Sequence, residues 1–222
     1  MVNMLINERV HKEVPMTPEG LRERKKREKW RRIEAAAWEV FWEKGFEAAT
    51  TREIAARADV AVGTLFLYAR DKRELLVVLV HKVIDQVVEE AFASLDGTGG
   101  LIDDVMSVFG RLFAMYAERP AIARAFVKEV LLLGPDQREE VIEKIQAFYG
   151  RLAERIARAQ AAGEVEAAIA PMQVASTMFG LYTAALTAWL SGWMTREEAL
   201  EGHLRPMLDL LMRGLAPERC QG

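Results

Sequence analysis

Apolar residues recur every three or four positions along almost the whole chain, which is the spacing of one face of an α-helix. The spacing predicts helices from about residue 18 or 29 to 44, then over roughly 72–95, 101–117, 120–132, 136–162, 171–190 and 196–215. Pro120, Pro135 and Pro171 fall at predicted helix starts, where proline is tolerated. Pro206 falls inside the last helix and should kink it. No alternating strand pattern survives between these breaks, so we predict an all-α fold.

Two short helices joined by a tight turn are predicted over 50–75, which reads TTREIAARADVAVGTLFLYARDKREL. Thr50 can cap the first helix, and Glu53 can reach back to the N–H of the cap, which makes a capping box. The helix breaks at 59–60, and a second helix follows over 62–68. A compact pair of this kind can place its second helix in the major groove of DNA, so we predict a helix-turn-helix.

Positive charge is concentrated just before this stretch. Residues 22–32 carry eight Lys or Arg against two Glu, a net charge of +6, whereas the whole chain carries −3. Residues 1–75 sum to +3 (16 bases against 13 acids), and the remainder sums to −6 (14 against 20). Alone, such a run is typical of a solvated helix. Beside a helix-turn-helix it indicates phosphate contacts, which supply most of the non-specific affinity for DNA.

Composition bounds the class of protein. At 222 residues and 51% hydrophobic content, the chain can form one large domain or two small ones with a substantial core. It has no apolar run long enough to span a membrane, and its first ten residues lack the apolar region of a signal peptide. Cys220 is the only cysteine, so no intrachain disulfide can form. We therefore expect a cytoplasmic protein. We also expect a flexible tail at residues 1–17.

The last two predicted helices are strongly apolar along one stripe each. One stripe is Val174, Met178, Leu181, Tyr182, Ala185 and Trp189, and the other is Leu200, Leu204, Met207, Leu208, Leu211 and Leu215. Such a hairpin, paired with a copy of itself, forms a four-helix bundle across a twofold axis. The alternative is that the core of each chain uses both faces. We expect a homodimer, because one helix-turn-helix reads only a short half-site, and we expect a glutamate at Leu208 or Leu211 to weaken it.

Four short motifs between about residues 30 and 76 have the spacing of a known family. They are Lys44-Gly45-Phe46, Thr50-Thr51-Arg52-Glu53-Ile54-Ala55, Gly63-Thr64-Leu65-Phe66, and Lys72 with Leu75. With them the chain resembles the tetracycline-repressor (TetR) family of bacterial transcription regulators. The resemblance implies a three-helix DNA-binding domain at 18–75 and a helical domain at 76–222 that dimerises and binds a small effector. An effector usually releases such a protein from its operator, so we expect a repressor.

The resemblance also places eight residues against double-stranded DNA: Thr50, Thr51, Arg52, Val62, Gly63, Thr64, Tyr68 and Lys72. Val62 offers a methyl surface to a thymine methyl, and Thr64 offers a hydroxyl. Lys72 opens the long helix, where an ammonium and a helix N-terminus suit a phosphate. Phe66 stands where the family commonly has tyrosine, and Leu67 offers no hydrogen bond, so neither can bind a phosphate through a hydroxyl.

Methionine and aromatic residues are abundant in the C-terminal part of the chain. Stripes of this kind usually form core, but some could line an apolar pocket between helices. As a group, the best candidates for an effector pocket are Phe109, Phe113, Tyr116, Met178, Phe179 and Tyr182. The charged residues of the middle helices are few, namely Arg111, Arg124, Lys128 and Glu129. The composition therefore favours an uncharged or largely apolar effector over a polyanion.

Enzymatic and purely structural functions fit the sequence less well. His11, His81 and His203 lack metal-ligand spacing to a cysteine or a second histidine. The segment 97–100 lacks the following Lys-Ser/Thr of a phosphate loop. We predict no metal site, no cofactor and no catalytic residue. The remaining alternative is a helical adaptor without ligand-controlled DNA binding, and the helix-turn-helix with its cationic segment argues against it.

Overall fold

A computed structural model describes residues 20–96 and 99–215. Within these ranges the chain forms nine α-helices and one π-helical segment, and no strand. The helices are α1 Leu21–Ala48, α2 Thr51–Arg57, α3 Val62–Leu65, α4 Lys72–Ala93, α5 Leu101–Glu118, α6 Pro120–Leu131, α7 Pro135–Ala161, α8 Pro171–Leu190 and α9 Arg205–Gly214, with the π-helical segment Glu198–Leu204 before α9. The all-α prediction is confirmed. The predicted tail at 1–17 lies outside the described residues.

The first helix loses helical geometry at Gly45, one residue after its predicted end at 44. Gly45 has φ 78° and ψ 166°, and residues with a side chain rarely adopt such a positive φ. The chain thereby turns so that Phe46 packs against Phe41, with ring centroids 5.7 Å apart. The break ends the straight part of α1 and starts the approach to α2.

The helix-turn-helix is formed by α2 and α3. Thr50 caps α2, because its Oγ1 accepts a hydrogen bond from the Glu53 backbone N–H at 3.2 Å. The Glu53 carboxylate pairs with Lys44 Nζ at 2.6 Å and so ties α2 to α1. Asp59 ends this helix in the left-handed region, with φ 51°. α3 is shorter than the predicted 62–68, because residues 66–68 form a turn.

Helix α4 connects the DNA-binding part to the rest of the chain without a linker. Asp71 caps it by accepting from the N–H groups of Arg73 at 2.8 Å and Glu74 at 2.9 Å. Its first turns bury Leu75, Leu76 and Leu79, and its later turns bury Val87, Val88 and Ala91. One rigid helix therefore contributes to the core at both ends of the molecule.

The predicted helix over 196–215 is interrupted differently from what the sequence indicates. Pro206 has no N–H to donate, and the irregularity lies in the π-helical segment that precedes it. The N–H of Arg205 bonds the carbonyl of Leu200, five residues back, which is the π-helical pattern. The predicted kink is thus a widened turn before Pro206. Pro120, Pro135 and Pro171 start α6, α7 and α8, as predicted.

The apolar stripe of α9 belongs partly to the core of a single chain. Leu204 and Leu208 have 0% exposure, so a glutamate at Leu208 would disrupt each chain rather than act on a dimer contact. The expectation for Leu208 is therefore wrong. Leu211 is half-buried, and Leu210 is 69% exposed. The exposed face of α8 carries small residues, namely Ser176, Thr177, Gly180, Thr183, Ala184 and Thr187.

Candidate DNA-binding surface and ligand cavity

The eight residues predicted to face DNA lie at the starts of α2, α3 and α4, or just after α3. Thr50, Arg52 and Gly63 are exposed, and the other five are half-buried. Gly63 has an ordinary backbone, and a Cβ built on it would meet no atom within 4 Å. The fold itself therefore does not require glycine at this position. A partner surface that approaches the backbone of α3 closely would require it.

Tyr68 attaches the cationic part of α1 to the helix-turn-helix. Its hydroxyl donates a hydrogen bond to the Lys26 carbonyl at 2.9 Å, and its ring stacks on Trp30 with centroids 5.5 Å apart. Residues 22–29 of α1 are exposed and extend beyond the core, whereas Ile33 further along the helix is completely buried. Tyr68 thus holds the positive segment next to the recognition helix α3.

The Lys72 side chain binds the backbone just after the break in α1 at Gly45. Its ammonium donates to the carbonyls of Phe46 at 2.7 Å and Glu47 at 2.9 Å, and it lies 4.5 Å from the centroid of the Phe46 ring. These carbonyls lie at the end of α1, where a cation is favourable. An ammonium has three protons, so one remains for the predicted phosphate.

A Lys72→Met variant is expected to lose stability and DNA affinity together. The loss of two charge-assisted hydrogen bonds should lower the free energy of unfolding by roughly 2 kcal/mol. Removing one phosphate contact should also reduce the slope of log affinity against log salt by about 0.9. Urea unfolding and fluorescence anisotropy at several salt concentrations measure the two effects. Lys29→Met, at an exposed position of α1, is the control for stability and should leave it unchanged.

Two apolar side chains beside α3 were not assigned to the DNA surface by the sequence. Leu67 is 81% exposed and Phe66 is 45% exposed. Apolar groups on a recognition element contact thymine methyls in the major groove. The signal in the sequence was that Phe66 stands where the resembling family commonly has tyrosine and that Leu67 offers no hydrogen bond.

A cavity of about 470 Å³ lies between α4, α5, α6, α7 and α8. Most of its wall is apolar: Ile84, Val88, Leu112, Phe126, Val127, Val130, Val141, Ile145, Ala147, Phe148, Phe179 and Leu186. The remaining lining residues are His81, Asp85, Glu89, Tyr116, Lys144, Arg151, Tyr182, Thr183 and Thr187. The volume is within the range of small-molecule sites, about 300–1,000 Å³.

The six pocket candidates fall into two groups of three. Tyr116, Phe179 and Tyr182 line the cavity. Phe109, Phe113 and Met178 are not among its lining residues and have 0% exposure. Phe109 stacks on Tyr182 with centroids 4.5 Å apart, and Phe113 meets the same ring at 5.8 Å. These two rings therefore support the wall from behind.

The buried titratable groups of the cavity are neutral at physiological pH. The pKa of His81 is lowered to about 4, chiefly by burial and also by the charge of Lys144, while Asp85 opposes the shift. Burial also raises the pKa of Tyr116 and Tyr182, which are hydrogen-bonded to each other. A group whose charged form is disfavoured stays neutral, so the interior suits an uncharged chain.

His81 makes the protein sensitive to acid. Its pKa is about 4 in the folded chain and near 6.5 otherwise, so the unfolded state binds the proton more readily. The stability that depends on neutral His81 is complete above about pH 6.5 and is lost as the pH falls to about 4, by up to about 3 kcal/mol. His81→Leu should lose less unfolding free energy between pH 7.5 and 4.5 than the unmodified protein. Equal losses in urea titrations would contradict this assignment.

The charged lining residues form a rim on one side of the cavity, between α4 and α7. Asp85 Oδ2 accepts from Lys144 Nζ at 2.6 Å, and Glu89 Oε1 accepts from Arg151 NH1 at 2.5 Å. The Arg151 guanidinium also lies 4.5 Å from the centroid of the Phe92 ring. We call these four residues, Asp85, Glu89, Lys144 and Arg151, the charged rim. Sequence reasoning missed it, because its partners lie about 60 positions apart.

The described part of the chain was also compared with the requirements of a metal site and of a membrane-spanning helix. No group of three or more His, Cys, Asp or Glu residues in 20–96 and 99–215 is arranged to hold a metal ion. Among the helices described here, none combines the length and the apolar character needed to cross a bilayer.

The helix-turn-helix and the cationic segment beside it define a DNA-binding transcription regulator. Residues 33–79 match the family model described as "Bacterial regulatory proteins, tetR family". Over these residues, which include the helix-turn-helix, the chain is similar to the TetR family. Its reading as a regulator is therefore favoured over that of a helical adaptor, and its relatives are regulators rather than enzymes. Dimerisation is typical of this family.

Relatives with known names extend the likeness over most of the chain. It is 22% identical over 192 residues to the fatty acid metabolism regulator protein of Bacillus subtilis (strain 168), which covers 86% of this chain and 98% of that protein. The structure of Thermus thermophilus FadR, a TetR-family repressor in complex with lauroyl-CoA, is similar with a TM-score of 0.72 at 23% identity, and covers 86% and 97% of the two chains. That of Bacillus subtilis FadR in complex with stearoyl-CoA gives 0.66 at 22% identity, and covers 84% and 99%. At these identities the structures show the shared fold.

Proposed function

We propose that this protein is a cytoplasmic, homodimeric repressor that leaves its operator when a long-chain acyl-CoA binds in the cavity. The division of labour follows the sequence prediction, with DNA binding through residue 75 and effector binding and dimerisation from residue 76. No catalytic step is part of the proposal. The observation that carries it is the cavity of about 470 Å³ beside α4.

The cavity wall suits a hydrocarbon chain. Its buried surface is aliphatic and aromatic, and its buried histidine and tyrosines are neutral, so no charge is left unpaired by an apolar occupant. The two FadR structures named above hold acyl-CoA molecules with chains of this kind. The composition predicts a largely apolar effector, and the proposed effector combines an apolar acyl chain with a charged head.

Helix α6 gives the cavity a direct connection to the DNA-binding domain. It contributes Phe126, Val127 and Val130 to the cavity wall. At its end, buried Glu129 Oε2 lies 3.3 Å from Arg73 Nε, and Lys128 Nζ lies 3.6 Å from Glu47 Oε1. A ligand that moves α6 therefore also moves contacts to α4 and to the end of α1. Such a ligand must bind the two arrangements with different affinity to act as an effector.

The experiment measures operator binding with and without lauroyl-CoA, using a duplex selected from random sequences. Lauroyl-CoA should weaken operator binding on the order of 10- to 100-fold, and operator should weaken lauroyl-CoA binding by the same factor. Lauroyl-CoA should also raise the melting temperature of the protein, because it binds only the folded state. If lauroyl-CoA changed neither operator binding nor the melting temperature, the proposal would be refuted.

A matched pair of variants tests whether the ligand lies in the cavity. Ile145 lines the cavity from α7, and Ile142 on the same helix is 53% exposed and is not a lining residue. Ile145→Trp should occupy ligand space, so it should bind operator normally but no longer respond to lauroyl-CoA. Ile142→Trp should respond like the unmodified protein. A normal response from Ile145→Trp would place the ligand elsewhere.

A further inference from the structure

The charged rim joins α4 to α7 by two parallel ion pairs. Asp85 and Glu89 are four residues apart on α4, and Lys144 and Arg151 are seven apart on α7, so each pair of like charges shares one face of its helix. All four side chains also line the cavity. An occupant of the cavity that extends toward this rim must therefore meet both pairs.

The cations of the rim are held more firmly than the carboxylates. The side chains of Lys144 and Arg151 are each 29% exposed, whereas those of Asp85 and Glu89 are 49% and 75% exposed. Arg151 is also held against the ring of Phe92. Ion pairs with such exposed carboxylates contribute little to stability, so a competing anion can replace the carboxylates at small cost.

We propose that Lys144 and Arg151 form an anion subsite for the head of the acyl ligand, which Asp85 and Glu89 occupy in the ligand-free protein. Ligand binding then exchanges two carboxylates of the chain for anionic oxygens of the ligand. The exchange removes both ion pairs between α4 and α7, and it leaves Asp85 and Glu89 next to a like charge that repels them. Helix α4 begins at Lys72, beside the recognition helix. A movement of α4 after the loss of its ion pairs to α7 therefore alters the DNA-binding surface.

This inference rests on the proposed function, because it names the head of the same ligand. Three compounds with the same chain separate the possibilities: lauroyl-CoA, laurate, and the thioester of laurate with N-acetylcysteamine, which carries no anion. Calorimetry gives their affinities for the full-length protein. The unmodified protein should bind lauroyl-CoA at least about tenfold more tightly than the neutral thioester, since charge-assisted hydrogen bonds to phosphate are strong.

Two double variants test the exchange. Lys144→Gln with Arg151→Gln should abolish the preference for lauroyl-CoA over the neutral thioester. Asp85→Asn with Glu89→Gln should bind lauroyl-CoA several-fold more tightly, because the internal competitor is gone, and should bind operator more weakly without any ligand. Asp103→Asn with Arg205→Gln removes an ion pair between α5 and α9 away from the cavity, at 3.1 Å, and should change none of these values.

The outcomes separate the two proposals. If lauroyl-CoA and the neutral thioester bind equally well, or if the preference survives the loss of Lys144 and Arg151, the anion subsite is refuted while the acyl-binding repressor stands. If neither thioester binds, the proposed function fails and the inference fails with it. Laurate bound as tightly as lauroyl-CoA, with the same dependence on the two cations, supports the subsite and identifies a free fatty acid carboxylate as its occupant.

Discussion

A Leu210→Glu variant is expected to be a folded monomer that binds an operator of two half-sites at least on the order of 100-fold more weakly than the unmodified protein. Leu210 projects from α9 with 69% of its surface exposed in the single chain, and α8 also has an exposed face of small residues. A dimer through α8 and α9 would bury the glutamate without a partner for its charge. Light scattering measures the mass, circular dichroism measures the fold, and anisotropy measures DNA binding.

Two control variants make the result specific to the interface. Leu132→Glu introduces the same charge at an apolar residue that is 60% exposed just after α6, and it should leave the dimer intact. Leu208→Glu introduces it at a position with 0% exposure, and it should cost several kcal/mol of stability in each chain. A Leu210→Glu protein that stays dimeric at micromolar concentration and keeps its operator affinity would show that α9 is not in the interface.

Neutralising the cationic segment should have an effect of similar size on DNA binding. Arg24→Gln, Lys25→Gln and Lys29→Gln together remove three exposed charges from the part of α1 that Tyr68 holds beside α3. Operator affinity should fall on the order of 100-fold near physiological salt, and the salt slope should fall by about 0.9 for each phosphate that no longer meets a cation. Anisotropy titrations at four or more salt concentrations give both quantities.

The matched control removes three exposed arginines from the C-terminal domain, as Arg111→Gln, Arg158→Gln and Arg196→Gln. Both triple variants change the net charge of the chain by the same amount, so a difference between them reflects where the charges lie. The control should keep most of its affinity and its salt slope. If the two variants lost equal affinity, only the overall charge of the protein would matter, and α1 would make no local phosphate contact.

The helix-turn-helix shows how far a motif can predict a functional surface. The cap at Thr50, the break near Asp59 and the turn at Gly45 depend on a few neighbouring residues, and each is found where the sequence predicts it. The internal partners of Tyr68 and Lys72 were not predictable in this way. They are the carbonyls of Lys26, Phe46 and Glu47, which lie 25 to 42 positions earlier in the chain.

The sequence by itself determined the order and approximate positions of the helices, the helix-turn-helix, and the concentration of positive charge beside it. These features depend on helical periodicity, capping and turn residues, which act over about four positions. Only the tertiary structure decided which aromatic side chains line the cavity, where Asp85 and Glu89 meet Lys144 and Arg151, and that Leu208 faces the core while Leu210 faces outward. An apolar or charged stripe identifies a face of a helix, whereas the partner of that face depends on how distant helices pack.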